Sequence, residues 1–227
     1  MSLILSIETA TPVSSVALHS NGEIMAHSHL FINQAASSKL TVMIDELLKR
    51  CELLPNQLNA IAVSAGPGSY TGLRIGVATA KGMCYALSKP LIAVNTLLCM
   101  ARQIAASYRK GEYFCPMLDA RRMEVYCMMI NDKGDVVEDT EARIIDPSSF
   151  QNSLEENEVV FFGNGAEKCK AVIVHKNAIF LNDVHPSAQQ IGELAYEKFQ
   201  REEFENVAEF EPFYLKDFLV KKPKSSV

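Results

Sequence analysis

Residues 3–31, LILSIETATPVSSVALHSNGEIMAHSHLF, hold the pattern that decides the fold. LILSIET is an apolar run of strand length, while VSSVALHS and IMAHSHLF alternate apolar and polar letters around the turn residues Asn21, Gly22 and Glu23. Three strands with connections this short make an antiparallel meander. The elements after the meander determine the class.

Downstream, residues 37–53 place Leu40, Met43, Ile44, Leu47 and Leu48 at helical spacing, with Ser37 or Ser38 as the N-cap. AIAVSA and PLIAV read as buried strands, separated by the helix LRIGVATAKGMCYALS and followed by the helix TLLCMARQIAASYR. After the polar stretch SYRKG the same order returns. YFCPMLDA, MEVYCMMI and VVEDTEARII are three strands, PSSFQNSLEE a short helix, EVVFFG and AIFL further strands, and PSAQQIGELAYEKFQREEF an amphipathic helix. The repeat lies in the order of elements, with Glu8 and Asp119 each closing the opening strand of its half. A meander followed by αβα is the order of a ribonuclease H-like unit. Two such βββαβα halves predict an α/β actin-like duplication, with lobes at residues 1–110 and 111–227 and a short tail at the end.

With 227 residues and 48% hydrophobic side chains, the chain is long enough for a substantial core. A net charge of −5 argues against unaided nucleic-acid binding, which calls for a clustered basic excess. Any RNA contact is therefore expected to need a partner. The six cysteines have no CxxC spacing, and no segment has the apolar length of a membrane span, so a cytoplasmic protein is expected.

The glycine-rich stretch AGPGSYTGLRIGVATAKG invites a phosphate-binding assignment. Yet Leu73 and Arg74 stand where a P-loop needs lysine and a hydroxyl, and Thr71 stands where a Rossmann fingerprint needs glycine. Backbone N–H groups at 71–74 remain an anion candidate, against the alternative that the glycines serve tight turning and close packing. The next helix is apolar around most of its circumference. Its small pairs Gly76/Ala80 and Ala78/Gly82 suit close helix approach, and a subunit interface is expected at Leu73, Arg74, Gly76, Val77, Ala80 and Met83.

Other chemistry is sparse. Glu8 and Asp119 are candidates for a carboxylate pair across a cleft, and Gly163 and Gly165 for a second glycine loop. Strand ends that hydrogen-bond their own turns account for the same letters. His27 and His29 share one strand face but lack a third ligand, while His19, His175 and His185 stand without companions in sequence, so no metal site is expected. Arg121 and Arg122 in DARRMEVY read as an anion or partner clamp, or as a solvated turn. The KKPKSSV end reads as a basic tail. No catalytic residue is assigned.

LSIETATPVSSVAL, AGPGSYTGLRIGVATAKG, DARRMEVY, FFGNGA and EPFYLKDF occur in the order found in the TsaB (YeaZ) family, which the chain resembles from its first strand to residue 218. The resemblance implies an actin-like, non-catalytic subunit in formation of threonylcarbamoyladenosine at position 37 of tRNAs reading codons that begin with A. It implies TsaD as the catalytic, metal-bearing partner, the ATPase TsaE as a further partner, and a homodimer where TsaD is absent. ATP and magnesium would then be used through partner subunits, with no cofactor of the chain's own. The segment NQAASSKLTVMID lacks the paired histidines with which TsaD holds its metal, carrying Ala36 and Leu40 instead. Glu8 replaces the aspartate of many relatives. The alternative is an actin-like phosphotransferase using Glu8, Asp119 and both glycine loops; a peptidase lacks both zinc ligands and an activated nucleophile.

Overall fold

The computed structural model describes residues 2–32, 35–108 and 112–215. The tail KKPKSSV, the last residues of EPFYLKDF and the side chains of Ala36 and Ser37 lie outside them. The first half comprises β1 (Leu3–Glu8), β2 (Ser14–Ser20), β3 (Glu23–Leu30), α1 (Ala35–Arg50), β4 (Ala60–Gly66), α2 (Tyr70–Leu87), β5 (Leu91–Asn95) and α3 (Thr96–Ser107). The second comprises β6 (Tyr113–Asp119), β7 (Glu124–Asn131), β8 (Val136–Ile144), α4 (Gln151–Glu156), β9 (Val159–Phe162), α5 (Ala166–Cys169), β10 (Ala178–Leu181) and α6 (Ala188–Gln200).

The strand orders are β3-β2-β1-β4-β5 and β8-β7-β6-β9-β10, the same order in both halves. In each, the meander is antiparallel and the fourth and fifth strands run parallel to the first. This is the duplicated actin-like α/β fold. Central β1 is buried along its whole length, which explains why it reads as an unbroken apolar run, whereas β3 is an edge strand with exposed residues.

Packing crosses between the two sets of strands. On the outer side of the first sheet, α1 and α2 contribute Leu40, Ile44, Leu47, Val77 and Ala80 to a core with Leu5, Ile7 and Val63. The inner side is covered from the far end of the chain: Ile191, Leu194 and Ala195 of α6 pack on Ile4, Ala60, Ala62, Ile92 and Val94. Reciprocally, Leu97, Met100, Ala101 and Ile104 of α3 pack on Phe114, Leu118, Met128 and Phe162 of the second sheet. Each half thus lends its last long helix to the other. Polar contacts pin α6 there, since Lys198 Nζ donates to Ala93 O at 2.9 Å and Ala188 N donates to Ser15 Oγ at 2.9 Å.

Beyond α6 the chain returns along the first half as an extended strap. Glu205 N donates to Leu91 O at 2.9 Å and Phe213 N to Ala65 O at 2.7 Å. Lys81 Nζ donates to Ala208 O and Phe210 O at 3.1 and 2.8 Å, and Val207 and Phe210 join the outer core.

Candidate functional site

The glycine-rich loop joins β4 to α2, and protein atoms fill the space around it. Gly66 has φ +109°, a region closed to most side chains, and its Cα faces Phe213 O of the strap. A Cβ at Gly68 would lie 2.5 Å from Ala10 O, and one at Gly72 or Gly76 would overlap Thr9 O or Thr9 Oγ1. The glycines therefore let α2 press against the β1–β2 turn. Thr9 Oγ1 donates to Gly72 O at 2.8 Å, Gly72 N donates to the cap Ser69 Oγ at 3.3 Å, and Leu73 N donates to Ser69 O at 2.8 Å. Two of the amides that were candidates for an anion, Gly72 N and Leu73 N, thus have partners within the loop. Arg74 donates to Tyr70 Oη at 2.7 Å, and the Tyr70 ring meets Tyr214 with centroids 5.0 Å apart.

The structure corrects the expected interface residues of α2. Leu73, Gly76, Val77 and Ala80 are buried within this chain, and Met83 is half-buried against the same core. Of the six, Arg74 is exposed. The outward stripe runs Thr71, Arg74, Ala78, Gly82, Tyr85, with Tyr85 87% exposed and open space beside Gly82. Beside it, Lys81, Gly82, Tyr85, Asn206, Val207 and Ala208 line a shallow groove of about 550 Å³ between α2 and the strap. The sequence signalled a helix apolar on too many sides to be solvated. It held no signal for which side α1, β4 and the strap would cover.

Glu8 and Asp119 occupy equivalent strand ends in opposite environments. Glu8 is fully buried, and burial pushes its carboxyl up to about 7 against the opposing hydrogen bonds of Ala10, Ser64 and Thr9. Ala10 N donates to Glu8 Oε1 at 2.5 Å, while Glu8 Oε2 has no hydrogen-bond partner among the described residues. Asp119 is exposed, accepts from Arg121 N at 3.0 Å and is ion-paired with Lys168. Each carboxylate thus accepts from the amide two residues on, as a strand end that hydrogen-bonds its own turn does. Gly163, at φ +97°, lies against Met117 O, and a Cβ at Gly165 would lie 2.8 Å from Leu118 C. This second loop is packed against its own meander as the first is. One carboxylate is thus sealed in the core, the other is engaged by Lys168, and both glycine loops lie against neighbouring backbone.

His27 and His29 do share a face, with ring centroids 5.3 Å apart. Folding adds His185, which reaches them through Phe31, and the α6 cap Ser187, whose Oγ lies 3.2 Å from His29 Nε2. His19 is buried on β2, its ring pressed on Gly192 of α6. Among the described residues no group of three His, Cys, Asp or Glu side chains is placed to hold a metal ion. All described cysteines are free thiols, five of them buried. Among the described residues no helix is long and apolar enough to cross a membrane.

A family model described as TsaD, tRNA N6-adenosine threonylcarbamoyltransferase, matches residues 31–224. The chain is 29% identical over 223 residues to the tRNA threonylcarbamoyladenosine biosynthesis protein TsaB of Haemophilus influenzae, covering 94% of this chain and 93% of that one. It is also 29% identical to the protein of the same name from Escherichia coli, over 94% of each chain. The solved structure of YeaZ from Pseudomonas aeruginosa matches with a TM-score of 0.77 at 24% identity, covering 95% of this chain and 100% of that one. The chain belongs to the TsaD family of tRNA N6-adenosine threonylcarbamoyltransferases, within its TsaB (YeaZ) group.

Proposed function

We propose that the chain is a non-catalytic subunit in formation of threonylcarbamoyladenosine on tRNA, acting by pairing with a TsaD-type transferase. Relatives named for this pathway align along nearly the whole chain. The observation that carries the non-catalytic assignment is the fate of the two strand-end carboxylates, one buried and one ion-paired to Lys168. Partner contact falls to the outward stripe of α2, where a large aromatic, Tyr85, stands beside the small Ala78 and Gly82. Aromatic anchors with room for close backbone approach are what a helix-to-helix interface uses. A homodimer through the same stripe forms when TsaD is absent. TsaE joins the assembled pair, and ATP and magnesium are handled by those partners.

Co-purification with TsaD and TsaE of the same organism tests this. The chain alone should transfer no threonylcarbamoyl group and the complex should. Gly82→Glu should abolish pairing with TsaD without lowering the thermal midpoint of the isolated chain. Transfer by the isolated chain, or an intact complex with Gly82→Glu, would overturn the assignment.

A further inference from the structure

The β6–β7 turn is built in an unusual way. Arg121 and Arg122 have φ +71° and +50°, two successive residues in the left-handed region. The β2–β3 turn contains the same kind of pair, φ +50° and +85°, and fills it with Asn21 and Gly22, the residues that such a turn favours. Two arginines are a poor choice on conformational grounds. Nor do they offset it by packing: both are exposed, and among the described residues neither guanidinium has an ion-pair or hydrogen-bond partner.

The backbone of the turn is nevertheless firmly held. Lys168 Nζ donates to Arg122 O and Glu124 O, each at 2.7 Å, and pairs with Asp119, which also accepts from Arg121 N. Glu124 N donates to Arg121 O at 3.2 Å and Ala120 N to Glu124 O at 3.1 Å. A lysine from α5 thus fixes the shape of a turn whose two cationic side chains do nothing for the fold. The equivalent turn of the first half, residues 9–13, is neutral and, Pro12 apart, buried. The cationic tip is therefore peculiar to the second half. Backbone strain maintained by its surroundings, with no structural return, marks a working surface.

We propose that Arg121 and Arg122 form a contact for the phosphodiester backbone of RNA. Guanidinium groups bind phosphate oxygens through paired N–H donors, and two of them on a convex turn suit an extended polyanion. Neither described groove lies at this tip, which disfavours a small nucleotide. The chain carries a net charge of −5, so it repels RNA as a whole and an RNA contact needs a local cationic site such as this one. The inference rests on the proposed pathway, which brings tRNA to the complex.

The test uses the complex with TsaD and TsaE, comparing wild type with Arg121→Ala/Arg122→Ala and Arg121→Lys/Arg122→Lys. Binding of tRNA is followed by fluorescence anisotropy over a salt series. The double alanine variant should bind about tenfold more weakly at low salt, and its slope of log affinity against log salt should fall by about 1.5, the loss of two phosphate contacts. The lysine variant should retain most of the slope. A photo-crosslinking amino acid at Met123, beside the tip and 37% exposed, should label tRNA in the otherwise wild-type complex. Unchanged affinity and slope overturn the proposal, and so does crosslinking to a protein subunit in place of RNA, which would identify an acidic protein partner. Transfer activity of the wild-type complex separates the two levels: if it is present while the variant binds tRNA normally, only the tip assignment fails. If it is absent, the pathway assignment fails, and RNA labelling from position 123 still decides the tip.

Discussion

Replacing Glu8 by glutamine isolates the energetic effect of a carboxylate sealed in the core. The folded-state value of about 7 stands above the ordinary 4.5, so the native chain holds a proton that the unfolded chain has released. Stability from the neutral carboxyl is fully present below pH 4.5 and is lost as pH rises through 7. At 1.36 kcal/mol per tenfold, the span corresponds to about 3 kcal/mol. Glutamine keeps an oxygen for Ala10 N and places an amide, rather than an ionisable oxygen, where Oε2 has no partner. Urea unfolding of wild type and Glu8→Gln at closely spaced pH values should therefore give curves that diverge from pH 4.5 upward. The variant should be more stable at pH 8 than at pH 4, relative to wild type, by about 3 kcal/mol, or roughly 6–12 °C in thermal midpoint for a chain of this size. Parallel curves would refute the reasoning, because they would mean that Glu8 titrates alike in the folded and unfolded chains.

Gly72→Ala drives a Cβ onto backbone Thr9 O and should destabilise by about 1–3 kcal/mol, whereas Gly82→Ala, on the same helix with nothing nearby, should stabilise by about 0.5–1 kcal/mol; thermal melts of the pair check both. Burial lowers the pKa of His19, aided by the charge of His27, so its contribution is present above pH 6.5 and lost as pH falls through the lowered value. His19→Gln should accordingly flatten the acid side of the stability profile measured by urea unfolding. A fragment ending at residue 108 lacks α6 and leaves Ile4, Ala62, Ile92 and Val94 uncovered, so it should lack a cooperative melt and bind a hydrophobic dye.

The strand order was legible because periodicity and length are local properties. Fully buried β1 and half-exposed β3 differ in their letters as a central and an edge strand should. The glycines of the β4–α2 loop were also legible as packing residues, since the missing lysine and hydroxyl excluded the better-known use. The exposed side of α2 was not legible. Leu73, Val77 and Ala80 are no more apolar than an interface would be, and only the positions of α1, β4 and the strap decide that they face inward. Likewise, nothing in the letters of α3 and α6 says that each covers the opposite sheet, because an apolar stripe specifies that it must be buried and leaves its partner open. The environments of Glu8 and Asp119 diverge for the same reason: equivalent places in a repeated order are sealed or exposed by elements distant in sequence.

The helix exchange also sets a timetable for synthesis. The first sheet is complete at Asn95, but the helix that covers its inner side ends at Gln200, roughly a hundred residues later. At about 5–20 residues per second, the ribosome leaves that apolar sheet face bare for about 5–20 s. For this chain the N-terminal half cannot be finished first and set aside; it must wait, exposed to chaperones and to other nascent chains, for its last long helix to emerge.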